Sequence, residues 1–230
     1  NTLSSSDYKA GDRIPTKNGK YYMVIFGMSM DRAPSVITKA TKFDKVYCVG
    51  DSRTADTKMA LGVAVPSNVE FIAKWGEGLY WFKSTGYRQL LSSVSKQPKN
   101  SKKAVIINLG VNDLNNGRAY VTYMKKVAAN LKKYNCKMYY LSVNPVNSAM
   151  IKSVGGKARS EAQIASFNRT IYKNLCSGKN KSFTYINSCT NLQMKGWISN
   201  RHDMGIYDGL HYSNATYLRI FDYCMRYLNR

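Results

Sequence analysis

Short apolar runs alternate with amphipathic stretches along most of the chain. Val46–Val49, Val69–Ala73, Ala104–Leu109, Met138–Val143 and Phe183–Ile186 are dense in apolar residues with little polar alternation, which predicts strands buried on both faces. Elsewhere the apolar residues fall at helical spacing. Helices are predicted from Thr54 to Leu61, from about Arg118 to Tyr134 with Val121, Met124, Val127, Ala128 and Leu131 on one face, from about Ala158 to Leu175 with Ile164, Phe167, Ile171 and Leu175 aligned, and from about Asn214 to Leu228. Strands alternating with helices predict an α/β fold, a parallel sheet covered on both sides.

The first residues do not share this pattern. Asn1 to Lys20 is polar and rich in Gly, Ser and Lys, which reads as a loose arm; Lys20–Met30 is apolar enough for an added strand, and Ala33–Thr41 has no regular period. The expected division is an N-terminal extension, 1–41, and one domain, 42–230, since a 230-residue chain suits a single core. No apolar run approaches the roughly twenty residues that cross a bilayer, so no membrane span is expected. The chain starts at Asn1 without a Met, which leaves room for a removed leader. A secreted or cell-surface protein is therefore the expectation, with the cytoplasm as the alternative.

Charge adds a partner class. Lys and Arg number 35 against 13 Asp and Glu, a formal +22, and such a field draws polyanions, whether nucleic acid, anionic lipid or an acidic cell-wall polymer. The basic residues are spread over Lys96–Lys103, Lys125–Lys137, Lys173–Lys181 and elsewhere rather than gathered in one arm. The five cysteines include no C-x-x-C and only two histidines accompany them, so neither a zinc site nor any other metal or cofactor is expected. Cys48 and Cys224 suit buried thiols, whereas Cys176 and Cys189 flank a loop and a strand and can pair in an oxidising compartment.

Three stretches carry candidate chemistry. The strand Val46–Val49 stops at Gly50-Asp51-Ser52 before a helix, which delivers Ser52 to the carboxyl end of a parallel strand; as a lone feature this is an ordinary turn with a serine cap. The strand Ala104–Leu109 ends in Gly110-Val111-Asn112-Asp113, another glycine turn delivering polar side chains to that edge. Asp208-Gly209-Leu210-His211 precedes the last helix. A serine hydroxyl needs a neutral imidazole to take its proton, and the imidazole needs a carboxylate to orient it. His211 and Asp208 fit those roles, with His202-Asp203 as the rival pair.

Gly50-Asp51-Ser52, Gly110-x-Asn112-Asp113 and Asp208-x-x-His211, in this order, resemble the conserved blocks of the SGNH (GDSL-type) hydrolases, from about Lys45 to the C-terminus. The resemblance implies a three-layer α/β/α sandwich with a flavodoxin-like, mostly parallel sheet of about five strands. It also implies a nucleophilic Ser52, an acid and base in Asp208 and His211, and an oxyanion hole made by the Ser52 N–H, the Asn112 side chain and a glycine N–H. That glycine is Gly76, with Gly78 as the alternative in Lys74-Trp75-Gly76-Glu77-Gly78. Arg53 stands where the family commonly has Leu, and faces either substrate or solvent.

The expected activity is a serine esterase acting through an acyl-enzyme on small, O-acetyl-type esters of carbohydrate or cell-wall polysaccharide. Trp75, Tyr80, Trp81 and Trp197 are candidates for stacking on sugar rings, with ordinary packing as the alternative for each. Rival readings are a lipase or lysophospholipase, and a catalytically idle module that binds polyanions. Oligomeric state is left open.

Overall fold

The computed structural model of the chain describes residues 34, 36–194 and 208–230, together with two short strands, β1 (Arg13–Pro15) and β2 (Tyr21–Met23). These two pair antiparallel in a sheet of their own. Part of Lys20–Met30 is thus a strand, as expected, but its partner lies inside the stretch expected to be a loose arm. Strand pairing between short polar segments leaves little trace in local apolar pattern.

The main sheet contains β3 (Lys45–Gly50), β4 (Val69–Ala73), β5 (Lys103–Asn108), β6 (Cys136–Leu141) and β7 (Thr184–Ile186), all parallel, in the order β4-β3-β5-β6-β7. Side chains alternate across it. Tyr47, Val49, Val105, Ile107, Met138 and Tyr140 pack on one face beneath α3 (Tyr87–Ser95), α4 (Gly117–Lys132) and α6 (Glu161–Ile171). Val46, Cys48, Ala104, Ile106, Tyr139 and Leu141 pack on the other beneath α1 (Ser52–Leu61), α7 (Ser188–Met194) and α8 (Asn214–Leu228). Two dry faces explain why these strands read as continuous apolar runs. The three-layer α/β/α architecture is the expected one.

Helix ends follow their caps. α1 starts at Ser52, earlier than its apolar spacing indicates, because Asp51 and not Ser52 is the N-cap and accepts the Arg53 N–H. α6 starts at Glu161 because Ser160 and Gln163 form a reciprocal capping box. Four helices have no counterpart in the sequence reading: α2 (Leu79–Trp81), the helix α3 that it enters through a π-turn (Phe82–Gly86), α5 (Ser148–Ser153) and α7. The π-turn shifts the helical phase between Trp81 and Leu90, and the others are too short to show a period.

The strand order makes β3 and β5 neighbours although β4 lies between them in sequence, so the chain reverses direction of progress there. Gly50 pairs with Asn108 at the carboxyl end of that junction. A crevice opens at such a point because the connections leave on opposite faces, and Ser52 lies at its mouth. Residues just before β3 are fastened to the domain: Ala40 is buried, the Thr38 N–H donates to Asp222 Oδ1 at 2.9 Å, and the Thr41 N–H donates to Asn229 Oδ1 at 2.8 Å. No helix among the described residues is long and apolar enough to cross a membrane.

At the amino end of β5, Lys103 is 1% exposed, yet its ammonium donates to the carbonyls of Pro98, Ser101 and Tyr134 at 2.7, 3.0 and 3.0 Å. Three carbonyl dipoles replace its hydration and tie the loop before β5 to the turn after α4. Lys103→Met keeps the apolar stem but leaves those carbonyls without their donor. Urea unfolding of this variant should show a loss of about 1–3 kcal/mol; an unchanged midpoint would mean that water replaces the ammonium at no cost.

Candidate active site

Gly50 ends β3 where a Cβ would overlap Thr54 Oγ1 and the Asn108 carbonyl, so only glycine lets β3 approach β5 and α1 this closely. The turn then sets Ser52 on the first turn of α1, 5% exposed, where a helix offers no acceptor to its backbone N–H. Ser52 Oγ lies 2.9 Å from His211 Nε2, and His211 Nδ1 lies 2.6 Å from Asp208 Oδ2. Asp208 Oδ1 accepts the Leu210 and His211 N–H groups at 2.8 Å each. The short spacing of Asp208 and His211 is therefore a folded turn that aims carboxylate and ring at each other.

What holds this turn against α1 is Arg53. Its side chain is 3% exposed and faces neither substrate nor solvent, which corrects both alternatives drawn from sequence. Nη1 donates to the Asn144 carbonyl at 2.8 Å, Nη2 to Pro145 and Leu210 at 3.0 and 2.8 Å, and Nε to Leu210 at 3.1 Å. The guanidinium also stacks 4.9 Å from the centre of the Tyr212 ring, whose hydroxyl donates to Pro145 at 2.6 Å. One cation thus joins α1, the loop after β6 and the histidine turn. Gly209, at φ 72°, completes the join, since a Cβ there would overlap the Asn147 carbonyl.

Asn112 sits beside this assembly with its amide orientation determined by its partners. Arg159 can only donate, so the atom 2.8 Å from its Nη2 is the oxygen Oδ1; the atom 2.8 Å from the Glu77 carbonyl is the nitrogen Nδ2. One N–H of Nδ2 is spent on Glu77 and one remains. Arg159 is further fixed by Nε on the Val111 carbonyl at 2.8 Å and Nη1 on Lys157 at 3.0 Å. Sequence reasoning missed Arg159, because nothing local links a residue before α6 to the turn after β5. Asp113 ties the same turn to the loop after β4, accepting the Leu79 N–H at 2.9 Å and the Tyr120 hydroxyl at 2.7 Å.

The two candidate glycines of that loop need their identity for different reasons. Gly76 has φ 72°, whereas at Gly78 a Cβ would press on the Asp113 carboxylate. Neither backbone N–H donates to a described residue. Nearby, Trp75 is 59% exposed with its Nε1 anchored on Asp56 Oδ1 at 2.9 Å, and Tyr80 is 83% exposed. Trp81 is core, so its ring is not available to a ligand. Trp197, His202 and Asp203 lie outside the described residues. All five cysteines are free thiols, so Cys176 and Cys189 are not bridged. Among the described residues no cluster of three His, Cys, Asp or Glu side chains is placed to hold a metal ion.

The carboxylates here titrate in opposite directions. For Asp208, burial pushes the value up, but the His211 side chain and the His211 and Leu210 N–H groups pull it well below the usual carboxylate range. Asp51 is buried, and burial pushes it up to about 6, against the lowering effects of the Arg53 guanidinium, the Arg53 N–H and His211. Asp113 nearby raises it further.

Residues 46–224 match the model of a family described as GDSL-like lipase/acylhydrolase. Among solved structures, the chain is similar to a GDSL-like lipase from Bacteroides thetaiotaomicron, with TM-score 0.56 and 16% identity over 84% of this chain and 92% of that one. It is also similar to a candidate SGNH hydrolase from Slackia heliotrinireducens, with TM-score 0.57 and 13% identity over 79% and 97%. An acetyl xylan esterase is similar with TM-score 0.50 and 14% identity over 80% and 98%. No curated protein matches the chain in sequence.

Asp51 gives a testable pH dependence. Its folded-state value of about 6 lies above the roughly 3.9 of an unfolded carboxyl, so the folded protein holds this proton the more tightly. The stability it contributes is full below the unfolded value and is lost as pH rises through the folded one. Asp208, shifted down, acts oppositely: its contribution is full above the unfolded value and is lost progressively as pH falls through the folded one. Asp51→Asn keeps an acceptor for the Arg53 N–H but cannot ionise. Its stability relative to the unsubstituted protein, followed by urea unfolding, should therefore rise between about pH 4 and pH 7; a constant difference would show that Asp51 is not perturbed.

Proposed function

As this chain belongs to the GDSL-like lipase/acylhydrolase family and is thereby an SGNH-type ester hydrolase, we propose that it removes small acyl groups, O-acetyl above all, from carbohydrate, using Ser52, His211 and Asp208. The observation that carries the reading is the unbroken hydrogen-bonded chain from Ser52 Oγ through both ring nitrogens of His211 to Asp208. Asp208, held ionised, keeps the proton on Nδ1 and leaves Nε2 to accept one.

In the reaction, Ser52 Oγ attacks the ester carbonyl as its proton passes to Nε2. The negative oxygen of the tetrahedral intermediate takes hydrogen bonds from the Ser52 N–H and the unspent Asn112 N–H. The third donor is the Gly76 N–H. A trans peptide points its N–H opposite to its C=O, and the Glu77 carbonyl faces Asn112, so the Gly78 N–H is turned away. Collapse breaks the C–O bond, and His211 gives the proton to the departing sugar oxygen, which leaves as a hydroxyl. Water, deprotonated by His211, then attacks the acyl-Ser52 ester; as the bond to Ser52 Oγ breaks, His211 returns the proton to that oxygen and the carboxylic acid is released.

A short acyl group suits the polar surroundings of Ser52, which include Asp51, Asn112 and Arg159. Sugar suits Trp75, whose indole is anchored by its N–H with much of its surface exposed, and the exposed Tyr80 five residues on. The test compares 4-nitrophenyl acetate with the octanoate and measures acetate released from acetylated glycans. Acetate should be preferred, Ser52→Ala should abolish turnover with little change in melting temperature, and Trp75→Ala should raise KM on the glycan alone. Preference for octanoate would favour a lipase instead.

Arg159 is the residue whose role is least visible from sequence and most open to measurement. By holding Asn112 Oδ1 it keeps Nδ2 aimed at the developing charge. Asn112→Ala should lower kcat by roughly a hundredfold to a thousandfold at similar KM, the range for one oxyanion donor. Arg159→Met should lower kcat on the unsubstituted background but cause almost no further loss on Asn112→Ala. Full additivity would show that Arg159 acts independently of the amide.

A further inference from the structure

The amino edge of the main sheet, opposite Ser52, carries a groove of about 1180 Å³. It runs past the residues that precede β3, β5 and β7, past the start of β6 and along one face of α4. Seven of its eighteen lining residues are lysine, against 35 Lys and Arg in 230 residues overall, so the chain's basic character is concentrated here rather than merely sampled. Lys103 is consumed by its three carbonyls, which leaves Lys42, Lys102, Lys125, Lys132, Lys137 and Lys181 around the rim, all exposed. The one acid in the lining, Asp44, accepts the Lys102 backbone N–H at 2.7 Å.

Two of these lysines have partners, Lys42 on the Arg230 carbonyl and Lys137 over the Tyr139 ring. The ammonium groups of Lys102, Lys125, Lys132 and Lys181 make no hydrogen bond or ion pair with a described residue. Like charges lining one concave surface repel and reinforce each other's potential, a cost that an anion crossing all of them turns into attraction. We propose that this groove is a binding site for a flexible linear polyanion that carries no bases, a chain of phosphate or carboxylate groups.

The side chains point to that class. Every cation is lysine, a compact point charge that does not demand the planar, two-pronged partner that arginine prefers. The rings at the groove are already occupied: Phe183 is buried against Tyr140, and Phe43 packs edge-on to Tyr139. Single-stranded nucleic acid is normally held by bases stacked on open aromatic faces, and the groove supplies none. Charged atoms with an apolar floor suit a chain whose anionic groups recur along a plain backbone.

Location gives the site its use. β3 runs six residues from Lys45 to Gly50, roughly 20 Å at strand rise, so a polymer in the groove lies a full strand length from Ser52. It would hold the protein on an acidic matrix without covering the catalytic edge.

The experiment uses the full chain and fluorescently labelled long-chain polyphosphate, polyglutamate and oligo-dT, read by anisotropy. In one variant Lys102, Lys125, Lys132 and Lys181 are all changed to Gln; in a charge-matched control Lys58, Lys83, Lys152 and Lys173, exposed and outside the groove, are changed to Gln. The groove variant should bind polyphosphate or polyglutamate weaker by on the order of tenfold or more, the control by less than about twofold. Melting temperature and turnover of 4-nitrophenyl acetate should be unchanged in both. Equal loss in the two variants, or no binding of either polymer by the unsubstituted protein, would overturn the site, and oligo-dT binding as tight as the polymers would overturn the base-free assignment.

Discussion

The candidate site depends on a buried cation that bonds to no carboxylate among the described residues. Arg53 lies under the nucleophile helix and spends its guanidinium on backbone carbonyls from two separate parts of the chain, after β6 and before α8. Burying such a charge is costly unless its donors are met, so the guanidinium draws both loops to α1, with the Tyr212 hydroxyl on Pro145 and the Asn147 N–H on Gly209 joining the loops to each other. Arginine suits the task because its planar fork serves several acceptors at once, which a lysine ammonium at that position would do with poorer geometry. The position of His211 relative to Ser52 is in this sense a consequence of Arg53.

The same dry surroundings treat two aspartates differently, and the difference follows from donors rather than from depth alone. Asp208 receives two backbone N–H groups and the imidazole, and stays ionised. Asp51 receives one backbone N–H and has Asp113 nearby, so burial prevails. One carboxylate is thereby suited to orienting an imidazole and the other to capping a helix.

Both edges of the sheet are shaped by their strand ends. At the carboxyl edge β3 and β5 run into glycine turns where a Cβ would meet its neighbours, and the connecting loops converge polar side chains on Ser52. At the amino edge Lys103 is enclosed by carbonyls, while lysines of the adjoining loops, of α4 and of β6 surround an open groove. A parallel sheet separates the lysine-lined groove from the candidate site by its own length.

The sequence alone determined the five strands of the main sheet and the four longest helices, and singled out Ser52, Asp208 and His211 as candidates, because each is written locally. Apolar runs mark strands buried on two faces, a period of 3.6 marks helices with one buried face, and glycine with a polar residue after a strand marks where the chain must turn. Arg53 could be found in sequence but not interpreted, since its partners lie near residues 144 and 210. The place of Arg159, the orientation of the Asn112 amide, the different surroundings of Gly76 and Gly78, and the gathering of lysines in one groove were decided by tertiary structure alone. Those features are made by groups distant in the chain, and a hydrogen bond or a shared field between distant groups leaves no periodicity to read.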